Sequence, residues 1–194
     1  MHLLMPDSFR RMAWKNGGGE TAEIAVSPCG APVDDFDWRV SMATVGHDSG
    51  FSRFSGVDRT IAVLSGAGFG LNLDGTDVQL GPDSEPFAFI GEASVFATVR
   101  SGETIDLNVM TRRTAWRHLM GRHRFTGSLR YTGRRGVSFL VLNGPAEIRG
   151  LGAAWVSAPR YAVLAHIAEG EVVELSADQP TEFLDVVLAE VDSP

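Results

Sequence analysis

The sequence predicts an all-β protein built from two similar units in tandem. Three observations carry this prediction. Short apolar segments alternate with a period of two, most of these segments end at glycine, asparagine or aspartate, and no long stretch shows a capped amphipathic helical pattern. Many short strands at close spacing are typical of a β-sandwich or a β-barrel.

The predicted strands are rich in β-branched and aromatic residues, which suit the half-buried surface of a sheet. In chain order they are DWRVSMATV (37–45), TIAVLSG (60–66), FGLNLDG (69–75), PFAFIG (86–91), SVFATVRSG (94–102), TIDLNVM (104–110), VSFLVLNG (137–144), YAVLAHIAEG (161–170) and EFLDVVLAEV (182–191).

An internal repeat relates the two halves of this strand series. Val63 and Val141 occupy matching positions 78 residues apart, and Asp106 and Asp185 occupy matching positions 79 residues apart. Two matches at nearly one offset indicate two similar β units in tandem. We place the first unit at residues 1–115 and the second at residues 116–194.

The two copies differ at the strand that contains Asp106. Alternation puts Asp106, Asn108 and Met110 on one face of this strand. The aligned strand of the second unit carries valine and alanine where the first has Asn108 and Met110. Because polar groups on an inward face need partners or a ligand, we expect the ligand pocket in the first unit and a structural role for the second.

The stretch KNGGGET (15–21) is rich in glycine but matches neither common phosphate-binding loop. A Walker A loop needs Lys-Ser/Thr after its glycines, and a dinucleotide-binding fingerprint needs spaced glycines that open a helix. Asn-Gly instead favours a turn, and bare backbone allows close approach of another group. Packing and ligand contact both remain open for Asn16, Gly17 and Gly18.

Two polar residues share strand faces with apolar neighbours. Arg59 alternates with Ile61 and Val63, and Ser41 lies among apolar residues on the face of Arg39 and Ala43. A buried arginine pairs with a carboxylate, for which Asp106 is the candidate, or binds the carboxylate of a ligand. Ser41 is either a hydrogen-bonded core hydroxyl or part of a pocket wall.

No pattern typical of a metal or nucleophilic site is present. The five histidines form no His-x-His pair, and Cys29 is the single cysteine, so no internal disulfide is expected. No Gly-x-Ser-x-Gly elbow occurs. We therefore predict no metal and no cofactor.

The charge pattern argues against a general nucleic-acid-binding protein, because the formal net charge is −7. Arginines nevertheless concentrate in residues 112–135, a stretch that we interpret as an arginine-rich surface hairpin, with nucleic-acid binding as the alternative. No apolar run approaches the ~20 residues of a membrane span. We expect a cytoplasmic protein, and an open strand edge would allow a homodimer.

Four motifs in this order resemble the HutD family, which includes the Ves proteins. They are W-x-N-G-G-G-x-T-x-E-I (14–24), W-R-V-S-x-A-x-V (38–45), G-F-S-x-F-x-G-x-D-R (50–59) and the segment from Phe89 to Met110 that ends in D-x-N-V-M. The resemblance implies a cupin-like double β-barrel, a bicupin, without the metal-binding histidines of other cupins.

The resemblance also implies an accessory or regulatory role in bacterial histidine utilisation, without an established reaction. Our leading hypothesis is a metal-free bicupin that binds a small carboxylate of the urocanate or N-formylglutamate class. The alternative is a metal-free lyase, isomerase or hydrolase with Asp106 as its acid–base group. The predicted ligand-binding residues are Trp14, Asn16, Gly17, Gly18, Thr21, Ser41, Arg59, Asp106, Asn108 and Met110.

Overall fold

The computed structural model describes residues 1–14, 17–150 and 152–191. These residues form strands, turns and a single 3₁₀ turn at Pro6–Ser8, and none of the described residues lies in an α-helix. The prediction of an all-β protein is therefore confirmed. None of the helical segments described is long and apolar enough to cross a membrane.

The strands are numbered in chain order. The first eleven are β1 (His2–Leu4), β2 (Arg10–Ala13), β3 (Gly19–Ser27), β4 (Trp38–Val45), β5 (Ser49–Gly50), β6 (Val57–Ser65), β7 (Phe69–Leu73), β8 (Thr76–Leu80), β9 (Phe87–Ile90), β10 (Val95–Val99) and β11 (Thr104–Arg112). The remaining six are β12 (Trp116–Thr132), β13 (Val137–Leu142), β14 (Ala146–Gly150), β15 (Val156–Ala158), β16 (Val163–Ile167) and β17 (Val172–Glu190).

The chain divides into two compact units. Residues 10–117 form one, called here the N-terminal unit, and residues 1–9 with 118–194 form the other, called the C-terminal unit. The first nine residues belong with the C-terminal half because β1 pairs antiparallel with β16. The boundary predicted from the sequence repeat instead assigns these nine residues to the first unit, because local sequence does not reveal this long-range pairing.

The N-terminal unit contains two antiparallel sheets. One has six strands in the order β2-β3-β4-β11-β6-β9, and the other has four in the order β5-β10-β7-β8. Apolar side chains of both sheets form one buried cluster, to which Val45 and Ile61 contribute from the first sheet and Phe69 and Leu71 from the second. Burial of such side chains is worth roughly 1.5–3 kcal/mol each and is what fixes the two sheets together.

The C-terminal unit is a seven-stranded sheet, in which six strands pair antiparallel in the order β1-β16-β13-β17-β14-β15 and β12 also pairs with β17. Its core contains Leu140, Leu142, Leu164, Ile167 and Phe183, all nearly inaccessible to solvent. These residues come from three of the predicted strand segments. Leu140 and Leu142 follow the alternation, whereas Leu164 and Ile167 are three positions apart, and His166 between them has a φ of +57°.

Carboxylates of the same unit pair with many of the arginines of the basic stretch. Arg122 and Arg124 both contact Glu182, and Arg130 lies 3.0 Å from Glu174. The long strand β12 carries these arginines beside β17, which carries the acidic partners. The concentration of positive charge seen in the sequence is thus reduced by acidic residues that come about 50 positions later.

Candidate functional site

The N-terminal unit contains a partly open cavity of about 540 Å³, a volume suited to a small molecule. Most of its wall is the inner face of the six-stranded sheet. Its lining residues are Met12, Ala13, Trp14, Thr21, Val33, Arg39, Ser41, Ala43, Gly50, Phe51, Ser52, Phe54, Arg59, Asp106, Asn108 and Met110.

Strand register explains why the polar side chains share this cavity. Asn108 on β11 is directly opposite Ser41 on β4, and Met110 is opposite Arg39 on β4 and Arg59 on β6. Directly opposite residues point to the same face of an antiparallel sheet, and alternate residues along a strand do so as well. Alternate positions 39, 41 and 43 of β4 and 106, 108 and 110 of β11 therefore line the cavity.

The structure brings most of the predicted site residues together. Seven of the ten line the cavity: Trp14, Thr21, Ser41, Arg59, Asp106, Asn108 and Met110. Gly17 and Gly18 are described but are not among the lining residues. Asn16 lies outside the described residues. Contact of any of these residues with a ligand stays a prediction.

The glycine stretch shapes a turn and supports a tryptophan. Gly17 has a φ of +70°, and its N–H donates to the carbonyl of Trp14 at 3.0 Å. A Cβ on Gly19 would lie 2.2 Å from the carbonyl oxygen of Thr44 and 3.2 Å from the Trp14 ring. The indole Nε1 of Trp14 donates to Oγ1 of Thr21 at 2.8 Å. The bare backbone at Gly19 therefore lets the indole lie against the strand at the cavity wall.

Arg59 is buried in an aromatic surround. Its guanidinium carbon lies 5.0 Å from the ring centre of Phe89, 5.3 Å from that of Phe51 and 5.6 Å from that of Phe54. One Nη donates to the carbonyl of Ser52 at 3.2 Å, whereas Nε has no hydrogen-bond partner among the described residues. Burial lowers the pKa of Arg59 to about 10, an effect that Asp106 opposes, so the side chain stays cationic at neutral pH.

Asp106 is the second buried ionisable group of the cavity and is only 2% exposed. Its Oδ2 has no hydrogen-bond partner in the part of the chain that the structure describes, and neither does Oδ1 of Asn108. Burial raises the pKa of Asp106 to about 7, with Arg59 opposing the shift. The direct ion pair with Arg59 suggested by the sequence is not found among the described residues, so the two charged groups, which lie on neighbouring strands, interact only at longer range.

Arg39 differs from Arg59 because a carboxylate neutralises it. Its Nε lies 3.0 Å from Oε2 of Glu23, although the N–H is not directed at that oxygen. Burial lowers the pKa of Arg39, and Glu23 opposes the shift. Arg39 also lines the cavity and was not predicted to do so, although its alternation with Ser41 was a usable signal. Met12 and Phe54 line the cavity as well, and no local pattern indicates them.

The aligned aspartate of the C-terminal unit has protein partners. Oδ1 of Asp185 lies 2.8 Å from Nε2 of His123, and Oδ2, which forms no hydrogen bond among the described residues, lies within ion-pair distance of Arg134, at 3.3 Å from an Nη. Asp106 and Asp185 are equally buried, at 2% exposure. Basic side chains therefore lie within contact distance of Asp185 in the C-terminal unit, whereas no basic side chain among the described residues contacts Asp106 in the N-terminal unit. No cluster of three potential metal-ligating side chains occurs within residues 1–14, 17–150 and 152–191.

Comparison with protein families identifies the family of this chain. The HutD family model matches residues 6–183, which is most of the chain. The chain belongs to the HutD family. The family resemblance read from the four motifs is thus confirmed.

Curated relatives of this HutD-family chain match it in part. It is 39% identical over 110 residues to an uncharacterized 21.2 kDa protein in the hutC 3′ region of Pseudomonas putida, with 57% of each chain covered. It is 40% identical over 101 residues to the protein Ves of Citrobacter koseri, with 52% of each covered. The chain thus spans about half the length of the curated relatives it matches.

Solved structures match nearly the whole chain. A conserved protein of Pseudomonas aeruginosa superposes with a TM-score of 0.87 at 31% identity and covers 97% of this chain and 98% of its own. HutD of Pseudomonas fluorescens gives 0.79 at 26% identity, with 98% of both chains covered. A cupin 2 conserved barrel domain protein of Leptotrichia buccalis gives 0.61 at 8% identity, covering 92% and 95%. This last similarity concerns the fold alone and supports the predicted cupin class.

Proposed function

We propose that the cavity binds a small carboxylate metabolite and that the protein is an accessory or regulatory protein of histidine utilisation. The observation that carries the proposal is the state of Arg59. This cation is only 5% exposed, lines the cavity and has a free Nε donor among the described residues. A buried charge without a direct counter-ion is costly, and a ligand carboxylate would compensate it.

The surroundings of Arg59 suit a small planar acid. The guanidinium offers donors in a fixed plane that match a carboxylate in two-pronged geometry. The phenylalanine rings around it exclude water, which strengthens an ion pair formed there. Ser41 and Asn108 add polar groups on the same wall. Cavities of this kind bind small ligands through a few polar contacts in an apolar lining.

The biological role is proposed from the relatives. One solved structure is that of HutD, and one relative is a protein of the hutC 3′ region. A binding protein that belongs to a catabolic system would sense or store a metabolite of that system. Urocanate and N-formylglutamate, both carboxylates, are our candidate ligands.

Thermal unfolding with added ligand tests the proposal. Urocanate or N-formylglutamate should raise Tm, and the rise should grow with the logarithm of the ligand concentration above Kd, because a ligand that binds only the folded state stabilises it. The matched control is urocanamide, in which a neutral amide replaces the carboxylate. A Tm shift of equal size with the amide would show that Arg59 does not bind the ligand carboxylate. The absence of a shift with both acids would contradict the choice of ligands.

A catalytic role is the second proposal, and the environment of Asp106 favours it. A carboxyl group with a pKa of about 7 that faces a cavity suits general acid–base catalysis near neutral pH. Nuclear magnetic resonance of urocanate and N-formylglutamate incubated with the protein tests this proposal. A catalyst would convert one of them, and Asp106→Asn would stop the conversion. Unchanged spectra over a day at high protein concentration would argue for binding alone.

A further inference from the structure

The two ends of the cavity carry opposite charge. Met110 has an arginine opposite it on each neighbouring strand, Arg39 on β4 and Arg59 on β6. Asp106, four positions along the same strand, has only the apolar Ala43 and Val63 opposite it. Since a strand rises about 3.3 Å per residue, the two ends are about 13 Å apart along the backbone, and the length of the arginine side chain shortens the gap between charges.

Neighbouring protein groups neutralise only one of the three charged groups on this wall. Arg39 pairs with Glu23 on β3, whereas Arg59 and Asp106 have no ion-pair partner among the described residues. Two acceptor atoms, Oδ2 of Asp106 and Oδ1 of Asn108, also have no hydrogen-bond donor there. Donors without acceptors therefore lie at one end of the cavity, and acceptors without donors lie at the other end and in the middle.

We infer that the cavity takes a dipolar ligand, which places a carboxylate toward Arg59 and a nitrogen that carries N–H donors or positive charge toward Asp106. This inference rests on the proposed carboxylate-binding function and narrows its ligand class. A carboxylate with an apolar tail would satisfy Arg59 but would leave the acceptors of Asp106 and Asn108 buried against carbon. A ligand with an N–H group at its far end satisfies both ends at once.

The ionisation of Asp106 makes the two ligand classes respond to pH in opposite directions. With a pKa of about 7, Asp106 passes from mostly protonated to mostly ionised between pH 6 and pH 8. A cationic nitrogen binds the ionised form, so its affinity should rise by about tenfold over this range. An apolar tail favours the protonated form, so its affinity should fall. The other charged groups on this wall are Arg59 on β6 and Arg39 on β4, which pairs with Glu23 on β3, and both arginines stay protonated here.

Isothermal titration calorimetry with three compounds tests the inference. The compounds are 5-aminopentanoate, its isostere hexanoate, in which a methyl replaces the ammonium, and pentylamine, which lacks the carboxylate. At pH 8 we expect 5-aminopentanoate to bind at least about tenfold more tightly than hexanoate, since it adds a charge-assisted hydrogen bond. At pH 6 this preference should shrink or vanish, and pentylamine should bind most weakly at both values.

Substitution of the aspartate provides a second readout. Asp106→Asn should reduce the affinity for 5-aminopentanoate to that for hexanoate and should remove the opposite pH trends. Asp77→Asn is the matched control, because it removes one negative charge from an exposed position that does not line the cavity. If Asp106→Asn does not fold, the pH trends of the unchanged protein still decide the question.

The outcomes separate this inference from the proposed function. Equal affinities and parallel pH trends for 5-aminopentanoate and hexanoate would overturn the dipolar ligand and leave carboxylate binding standing. Binding of pentylamine as tight as that of 5-aminopentanoate would overturn both, because it would show that Arg59 contributes nothing. Absence of binding by all three compounds, together with no Tm shift from urocanate, would also overturn both.

Discussion

Arg59 and Asp106 line one cavity and influence each other's ionisation without forming a direct ion pair among the described residues. If the two side chains formed a direct ion pair, they would neutralise each other, and a charged ligand would gain little binding free energy from either of them. Because they are separated, both groups are available to a ligand, and burial of each without a direct partner costs stability in the unliganded protein. Experiments on these two residues therefore test ligand binding and folding stability together.

Substitution of Arg59 should affect binding more than folding. Arg59→Met keeps an unbranched side chain against Phe51, Phe54 and Phe89 but removes the charge. We expect stability within about 1 kcal/mol of the parent or above it, because a buried cation is lost. Affinity for the carboxylate that binds most tightly should fall about 10- to 100-fold, the equivalent of one charged hydrogen bond.

Arg59→Lys is the control for charge in this experiment. It retains a cation but not the planar pair of donors, so its affinity should lie between those of the parent and Arg59→Met. Calorimetry gives the affinities and urea unfolding gives the stabilities. Unchanged affinity in Arg59→Met would place the ligand carboxylate elsewhere.

Asp106 should make the stability of the protein depend on pH. Its pKa rises from 3.8 to about 7 on folding, so the folded state holds the proton more tightly than the unfolded state. Its contribution to stability is therefore full below pH 4 and is lost as pH rises toward 7, by up to about 1.4 kcal/mol per pH unit. Asp106→Asn stays neutral and should gain stability relative to the parent over this window.

The measurement is the difference in unfolding free energy between the parent and Asp106→Asn at pH 5, 6, 7 and 8. Other carboxylates titrate alike in both proteins and cancel in the difference. The difference should grow up to about pH 7 and then level off. A difference that does not change with pH would mean that Asp106 is ionised throughout and has a partner in solution.

The repeated strands allow a reciprocal exchange between the two units. Asn108→Val removes an amide whose Oδ1 has no partner among the described residues and should cost little stability or increase it. Val187→Asn introduces an amide at a position that is 6% exposed and should destabilise by about 1–3 kcal/mol. Denaturant melts of the two variants decide the comparison. A larger loss from Asn108→Val would assign Asn108 to the structural framework.

Two glycine substitutions separate packing from ligand contact. Gly19→Ala places a Cβ 2.2 Å from the Thr44 carbonyl and against the Trp14 ring, so it should cost about 2 kcal/mol and weaken ligand affinity by moving the indole. Gly17→Ala meets no atom within 4 Å and strains only a φ of +70°, so it should cost about 1 kcal/mol and leave affinity unchanged. Equal losses of affinity would show that the ligand contacts the glycine turn itself.

Sequence pattern predicted the fold because strand alternation is a local property. The segment 104–110 was assigned from its period of two, and the structure has a strand at Thr104–Arg112. The same alternation placed Asp106, Asn108 and Met110 on one face, and all three line the cavity. Pairing of β1 with β16 was not predictable, because it joins residues about 160 positions apart that share no local signal.

The site was predictable where polarity interrupted an apolar face and not elsewhere. Arg59 and Ser41 are polar residues on otherwise apolar strand faces, and a polar residue in such a position indicates a candidate site. Met12 and Phe54 are apolar residues in ordinary surroundings, and only the three-dimensional arrangement shows that they line the cavity. Whether Arg59 and Asp106 form an ion pair depends on the distance between their side chains, which their spacing in the sequence does not determine.

The pairing of β1 with β16 means that the two units cannot be separated by dividing the gene at one point. A fragment that starts at residue 118 lacks β1 and exposes the backbone edge of β16, where His2 otherwise pairs with Ala165. An uncovered strand edge recruits other chains, so such a fragment should aggregate. A synthetic peptide of residues 1–9 added to it would restore the missing edge, which makes this protein a candidate for assembly from two complementary pieces.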